Sequence, residues 1–115
     1  MSEKCIFCRI VSGEVHSETI YQDEDFLAFR DISPQAPKHV LIIPKTHITN
    51  LAELTERQQN IAGRLIILAK DLAEEEGIAK SGYRLVINCG FDGGQVVQHL
   101  HLHLIGGRKL SGKLG

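Results

Sequence analysis

The sequence predicts an α+β fold, one sheet carrying one long helix, within a single domain over residues 1–115. Three stretches predict it. Residues 99–105, HLHLHLI, alternate imidazole and aliphatic side chains with the period of a strand. Residues 39–44, HVLIIP, form the almost continuous apolar run expected of a strand covered on both faces. From Thr55 to Glu76, the side chains Ile61, Leu65, Leu68 and Leu72 recur at helical spacing behind a capping pair, Thr55 and Gln58, and Gly77 supplies the stop.

The remaining elements follow in order. Residues 5–13 read as a knuckle and one or two helical turns ending near Gly13, with Ile6, Phe7, Ile10 and Val11 as apolar surface. Residues 19–22 and 26–30 read as a hairpin around the acidic turn Asp23-Glu24-Asp25. Two prolines make residues 31–37 a loop of fixed shape, because each removes an amide hydrogen and restricts its predecessor. The helix of about 21 residues is roughly 32 Å long at 1.5 Å per residue, and Ile66 and Ile67 widen its apolar face enough for a partner as well as the sheet. Residues 83–88 are a further strand. Residues 89–95 are a glycine-bearing turn that leads into the histidine strand, Gly106 and Gly107 end that strand, and residues 108–115 read as a tail with no core of its own.

Composition bounds the function. With 43% hydrophobic and 23% charged residues and a formal net charge of −1, the chain offers no general attraction for nucleic acid or an anionic membrane. No stretch approaches the roughly 20 apolar residues of a membrane span, and residues 1–8, MSEKCIFC, lack the pattern of a secretory leader, so a cytoplasmic protein is expected. Three cysteines argue against a disulfide framework and leave Cys5 and Cys8 as a metal or redox pair.

A row of three imidazoles either chelates a metal or aims its middle member at an electrophile while the neighbours fix its tautomer. The glycine turn just before it favours the second chemistry, since backbone N–H groups there can hold a phosphate, with Asn88 as an added donor. A tetrahedral zinc site at Cys5 and Cys8 needs two further ligands, for which His47 and His99 are candidates; two free thiols are the alternative.

Taken together, Cys5-x-x-Cys8, the segment DISPQAP at 31–37, HVLIIPK at 39–45, Asn88, DGGQ at 92–95 and His99-x-His101-x-His103 before Gly106-Gly107-Arg108 resemble the histidine triad (HIT) superfamily. Within it, the chain is most similar to the Hint group of purine nucleoside phosphoramidases. The resemblance implies a HIT-like fold with a five-stranded antiparallel sheet, one long helix and a short N-terminal helix, dimerising into a ten-stranded sheet. It implies hydrolysis of adenosine 5′-phosphoramidates, at the P–N bond, and of aminoacyl-adenylates, through a covalent nucleotidyl-histidine. His101 would be the nucleophile, His103 would orient it, and His39 and His99 would complete the relay. Asp31 would bind the ribose hydroxyls. Ile6, Phe7, Ile10, Val15, Phe29 and Ile32 would form the purine slot, with Asn88, Gly94, Gln95 and Val96 completing the substrate site. Structural zinc on Cys5, Cys8, His47 and His99 is implied as well, with no metal required for catalysis. The implied partners are a purine nucleotide and a second copy of the chain, without nucleic acid or membrane. Another HIT reaction, such as dinucleoside polyphosphate hydrolysis or nucleotidyl transfer, and a nucleotide-sensing module are the alternatives. Two departures stand out: Val96 occupies a place where family members often have Ser or Thr, and the tail SGKLG replaces a Trp-Pro-Pro-Gly ending.

Overall fold

A computed structural model describes residues 5–114; the expectation about a leader rests partly on residues 1–4, which lie outside them, as does residue 115. The chain runs α1 (Ile6–Val11), β1 (Thr19–Gln22), β2 (Phe26–Arg30), β3 (Lys38–Pro44), α2 (Gln59–Glu75), β4 (Tyr83–Val86) and β5 (Leu102–Gly106). All strand pairings are antiparallel, in the order β1-β2-β3-β5-β4, giving the expected five-stranded α+β architecture.

Strand alternation sorts the central residues onto two faces. Val40 pairs with Leu104 and Ile42 with Leu102, and these four side chains, with Phe26 and Ala28, pack under Leu65, Ala69 and Leu72 of α2. On the opposite face Leu41 pairs with His103, and Leu41 and Ile43 meet Leu27, Phe29 and Phe7 of α1. β3 is therefore buried on both faces, which is why its sequence carries no polar alternation. The β1–β2 turn closes on a carboxylate: Asp23 Oδ1 accepts from the N–H of Asp25 and of Phe26, both at 2.8 Å.

The long helix starts later than its capping pattern implies. Thr55 and Gln58 do form a capping box, but it opens a 3₁₀ turn at Glu56–Gln58, and the α-helical bonds begin at Gln59. Gly77, at φ +78°, ends the helix as expected. Just before that stop, Glu76 accepts a two-pronged bond from Arg30, at 2.7 and 3.1 Å, which ties β2 to the end of α2 and holds the Glu76 carboxyl below its ordinary pKa.

The histidine segment departs most from expectation. Regular pairing begins only at Leu102, so His99, Leu100 and His101 form an irregular lead-in in which the Leu100 N–H donates to Ile48 O at 2.6 Å. The three leucines are still buried in the core, but the His99 ring parts from those of His101 and His103. β4 likewise ends at Val86, short of Asn88.

Candidate active site and metal cluster

The face of the sheet away from α2 supports a cavity of about 560 Å³, a volume typical of small-molecule sites. Ile6, Phe7 and Ile10 of α1 form one wall, with Val15 beside them and Phe29 and Leu41 as the floor. Asp31, Ile32, Asn88, Gly94 and Val96 edge it, and His39, His101 and His103 supply its imidazoles. Ile32 and Val96 are 98% and 88% exposed, so they form a rim. A larger and shallower groove between β1 and α2 has its charged groups engaged, Asp23 with Tyr21 and Arg64 with Asp25.

Hydrogen bonds fix the tautomer of each ring. His101 Nδ1 lies 2.7 Å from the His99 carbonyl oxygen, which can only accept, so Nδ1 carries the proton and Nε2 is the bare nitrogen. Phe7 packs edge-on to the same ring, with centroids 5.2 Å apart. The group that orients His101 by hydrogen bond is therefore the backbone of His99; His103 contributes a ring contact at 5.0 Å. His103 instead pairs with His39, Nδ1 to Nε2 at 2.9 Å. His39 Nδ1 accepts from the Gln35 N–H at 3.0 Å, so its proton sits on Nε2 and is donated to His103, which must keep its own proton on Nε2. Asp31 Oδ2 lies 3.4 Å from His39 Nε2, and its Oδ1 caps the Ser33 N–H.

Two predicted residues lie outside the cavity lining. The His99 ring turns the other way, its Nε2 donating to Pro44 O at 2.9 Å. Gln95 is a staple: its amide donates to Thr49 O and Val97 O, and its oxygen accepts from the Gly90 N–H. The Gly94 and Gln95 N–H groups also bond within the turn, and the Asn88 amide donates to Gly93 O, so the glycine turn spends these donors on its own shape rather than on a phosphate. Sequence inspection missed Leu41, Gln35, Ser17 and the exposed His16 along the lining. Leu41 was readable in principle, since it lies two residues from His39 on one strand.

The second cluster is built around the turned-away ring. Cys5 Sγ lies 3.3 Å and Cys8 Sγ 3.6 Å from His99 Nδ1, and Cys8 Sγ lies 3.3 Å from His47 Nδ1. A tetrahedron with metal–sulfur and metal–nitrogen bonds of about 2.3 and 2.0 Å has S···N edges of about 3.5 Å. Both rings also present the right nitrogen. Both Nδ1 atoms face the thiols: Pro44 O takes the His99 Nε2–H and so leaves His99 Nδ1 bare, and Thr49 Oγ1 lies 3.4 Å from His47 Nε2, where its hydroxyl can either donate or accept. These four residues fit a metal ion. Asp31, His39 and His103 also approach one another, but His39 Nδ1 accepts an amide hydrogen, so its Nε2 is protonated and closed to a metal.

Burial pushes the His39, His99 and His103 pKa values down, His103 to about 4 with help from the neighbouring His101 and His39; Asp31 opposes the shift at His39 and His103. An unfolded His103 titrates near 6.5, so between pH 6.5 and 4 the unfolded chain binds a proton that the folded chain refuses. Stability is full above 6.5 and falls as pH drops through this window, by up to about 3 kcal/mol from this group. Urea unfolding at pH 7 and pH 4.5 is expected to show the loss, and His103→Gln to reduce it; equal slopes in both proteins would discard the assignment.

The fold and the histidine arrangement define a HIT protein: the family model described as the HIT domain matches residues 12–110, and the chain belongs to that family. The chain is 48% identical over 110 residues to the purine nucleoside phosphoramidase of Escherichia coli, covering 96% of this chain and 92% of that protein. It is 50% identical over 108 residues to the 14 kDa zinc-binding protein of Zea mays, covering 92% of this chain and 73% of the relative. The crystal structure of a HIT family hydrolase from Legionella pneumophila superposes with a TM-score of 0.95 at 46% identity, covering 97% of this chain and all of that one.

Proposed function

We propose that the chain hydrolyses purine nucleoside 5′-phosphoramidates and aminoacyl-adenylates through a nucleotidyl intermediate on His101. The observation that carries this reading is the His101 tautomer: with Nδ1–H held by the His99 carbonyl, the unprotonated Nε2 belongs to a ring in the wall of an apolar cavity. Nε2 attacks the α-phosphorus, and the bond to the leaving group breaks: P–N with its electron pair going to the amine in a phosphoramidate, P–O with its pair going to the amino-acid carboxylate in an aminoacyl-adenylate. Water then attacks the same phosphorus and the P–Nε2 bond breaks, releasing the nucleoside monophosphate. Across both steps the hydroxyl of one water ends on phosphorus and, for a phosphoramidate, its proton on the amine. His103, neutral at physiological pH, supplies an Nε2–H donor for the phosphoryl oxygens as charge builds there. Asp31 accepts from the ribose hydroxyls, and Phe7, Ile10 and Phe29 sandwich the base.

The test is quenching in alkaline denaturant during turnover of adenosine 5′-phosphoramidate, followed by mass analysis at basic pH. A protein carrying one added adenylyl group on the peptide containing His101 supports the reading. Steady AMP release with no adduct, under conditions that trap acid-labile phosphohistidine, sinks it.

Cys5, Cys8, His47 and His99 are proposed to hold zinc, whose chemistry here is structural: it fastens α1 to the start of the histidine segment. A homodimer joined at β4 is proposed too, since β4 is an edge strand and Ile66 and Ile67 are about half exposed on α2. Light scattering that returns a monomer mass at micromolar concentration would exclude it. The interior of a cell, the cytoplasm, is the compartment in which unbridged cysteines and the nucleotide substrate would coincide.

A further inference from the structure

The tautomer of His39 depends on a segment that contains no imidazole. The Gln35 N–H donates to His39 Nδ1 at 3.0 Å, and the Gln35 carbonyl accepts from Arg108 Nη2 at 2.8 Å. Arg108 is the second residue beyond β5, and its Nη1 is turned back onto Lys109 O at 3.1 Å. The residue between them and the strand makes a second, steric contact: Gly107, at φ +97°, is so close to the loop that a Cβ there would lie 2.9 Å from Pro37 Cβ. One hydrogen bond and one close approach thus register residues 31–37 against the exit of β5. Neither Gly107 nor Arg108 lines the cavity.

We propose that Gly107 and Arg108 are positioning residues that fix the tautomers of His39 and His103 through the backbone of Gln35. If the Gln35 N–H drifts away, the His39 proton is free to move to Nδ1, and Nε2 becomes an acceptor. His103 keeps its bond to His39 only by placing its own proton on Nδ1, which withdraws the Nε2–H from the cavity. The tautomer claim stands on geometry alone; its kinetic consequence rests on the phosphoryl role given to His103 above.

Long-range ¹H–¹⁵N spectra of the histidine rings test it. In the wild type, His39 and His103 each show a protonated Nε2 and a bare Nδ1, while His101 shows a protonated Nδ1. Arg108→Ala and, separately, Gly107→Ala are expected to give mixed tautomers at His39 and His103 with His101 unchanged. The accompanying fall in kcat is about tenfold, a fraction of the loss when a phosphoryl or oxyanion donor is removed outright, with KM unmoved because no cavity atom is lost. Arg108→Lys, which keeps one donor, restores most of the wild-type pattern. Arg84→Ala cuts the other anchor of the tail, at Ser111 O, and leaves the tautomers as they are. Wild-type ring spectra in both Arg108→Ala and Gly107→Ala would overturn the proposal. Mixed tautomers with an unchanged kcat would uphold it and instead remove His103 from the chemistry.

Discussion

His101→Ala is expected to stop turnover while the cavity still binds a purine nucleotide. Loss of a covalent nucleophile costs about 10⁴-fold or more in kcat, because the remaining groups orient the substrate but form no bond to it. Affinity survives for a separable reason. In the proposed reading the base lies against Ile6, Phe7, Ile10 and Phe29 and the ribose on Asp31; of these Phe7 touches the imidazole, and its edge contact with Phe29 at 5.4 Å keeps it seated when that ring is removed. Folding survives too, since the neighbours that anchor this segment are Leu100 and Leu102, each 1% exposed in the core. Single-turnover assays of AMP release with calorimetric titration of AMP separate the two quantities. Retention of even a tenth of wild-type kcat would transfer the nucleophile to another group. Loss of AMP affinity together with kcat would mean that the ring is a binding contact.

How much of this was readable without coordinates differs from residue to residue. Strand period placed Leu102 and Leu104 in the core and His103 on the opposite face, because side-chain alternation is a local property of extended backbone. The same period failed at His99. Its ring is claimed by partners 55 and 94 residues away, Pro44 O and Cys5 Sγ, and regular pairing begins only at Leu102, three residues further on. The resemblance to the HIT family supplied the cysteine and histidine set that composition could only suggest. Gln95 was placed at the substrate by the resemblance, yet an amide at the end of a glycine turn is equally suited to satisfy nearby N–H and carbonyl groups, and here it bonds Gly90, Val97 and Thr49. Arg108 was unreadable. A basic residue in a polar tail looks alike whether it faces water or caps a carbonyl 73 residues earlier.

Zinc is expected to raise the melting temperature of metal-free protein by about 10 °C or more when supplied at a thousandfold excess over its dissociation constant, equivalent to about 4 kcal/mol of linkage. The expectation follows from which parts of the chain the four donors join. Cys5 caps the start of α1, Cys8 lies within it, His47 follows β3 and His99 precedes β5, so one ion would cross-link three segments that are far apart in sequence. His99 already presents a bare Nδ1, so its tautomer need not change on binding; the thiols must lose protons, so affinity weakens as pH falls. Cobalt gives the discriminating measurement, because thiolate-to-cobalt charge transfer and intense tetrahedral ligand-field bands appear only with sulfur in a four-coordinate shell. Cys8→Ser should leave one thiolate and so about half of the charge-transfer intensity at saturation, weaken binding by at least about a hundredfold and shrink the thermal shift, while Cys5→Ser with Cys8→Ser should abolish both the charge transfer and the shift. A wild-type protein that melts at one temperature with and without zinc, and stays colourless with cobalt, would leave Cys5 and Cys8 as two reduced thiols packed against imidazoles.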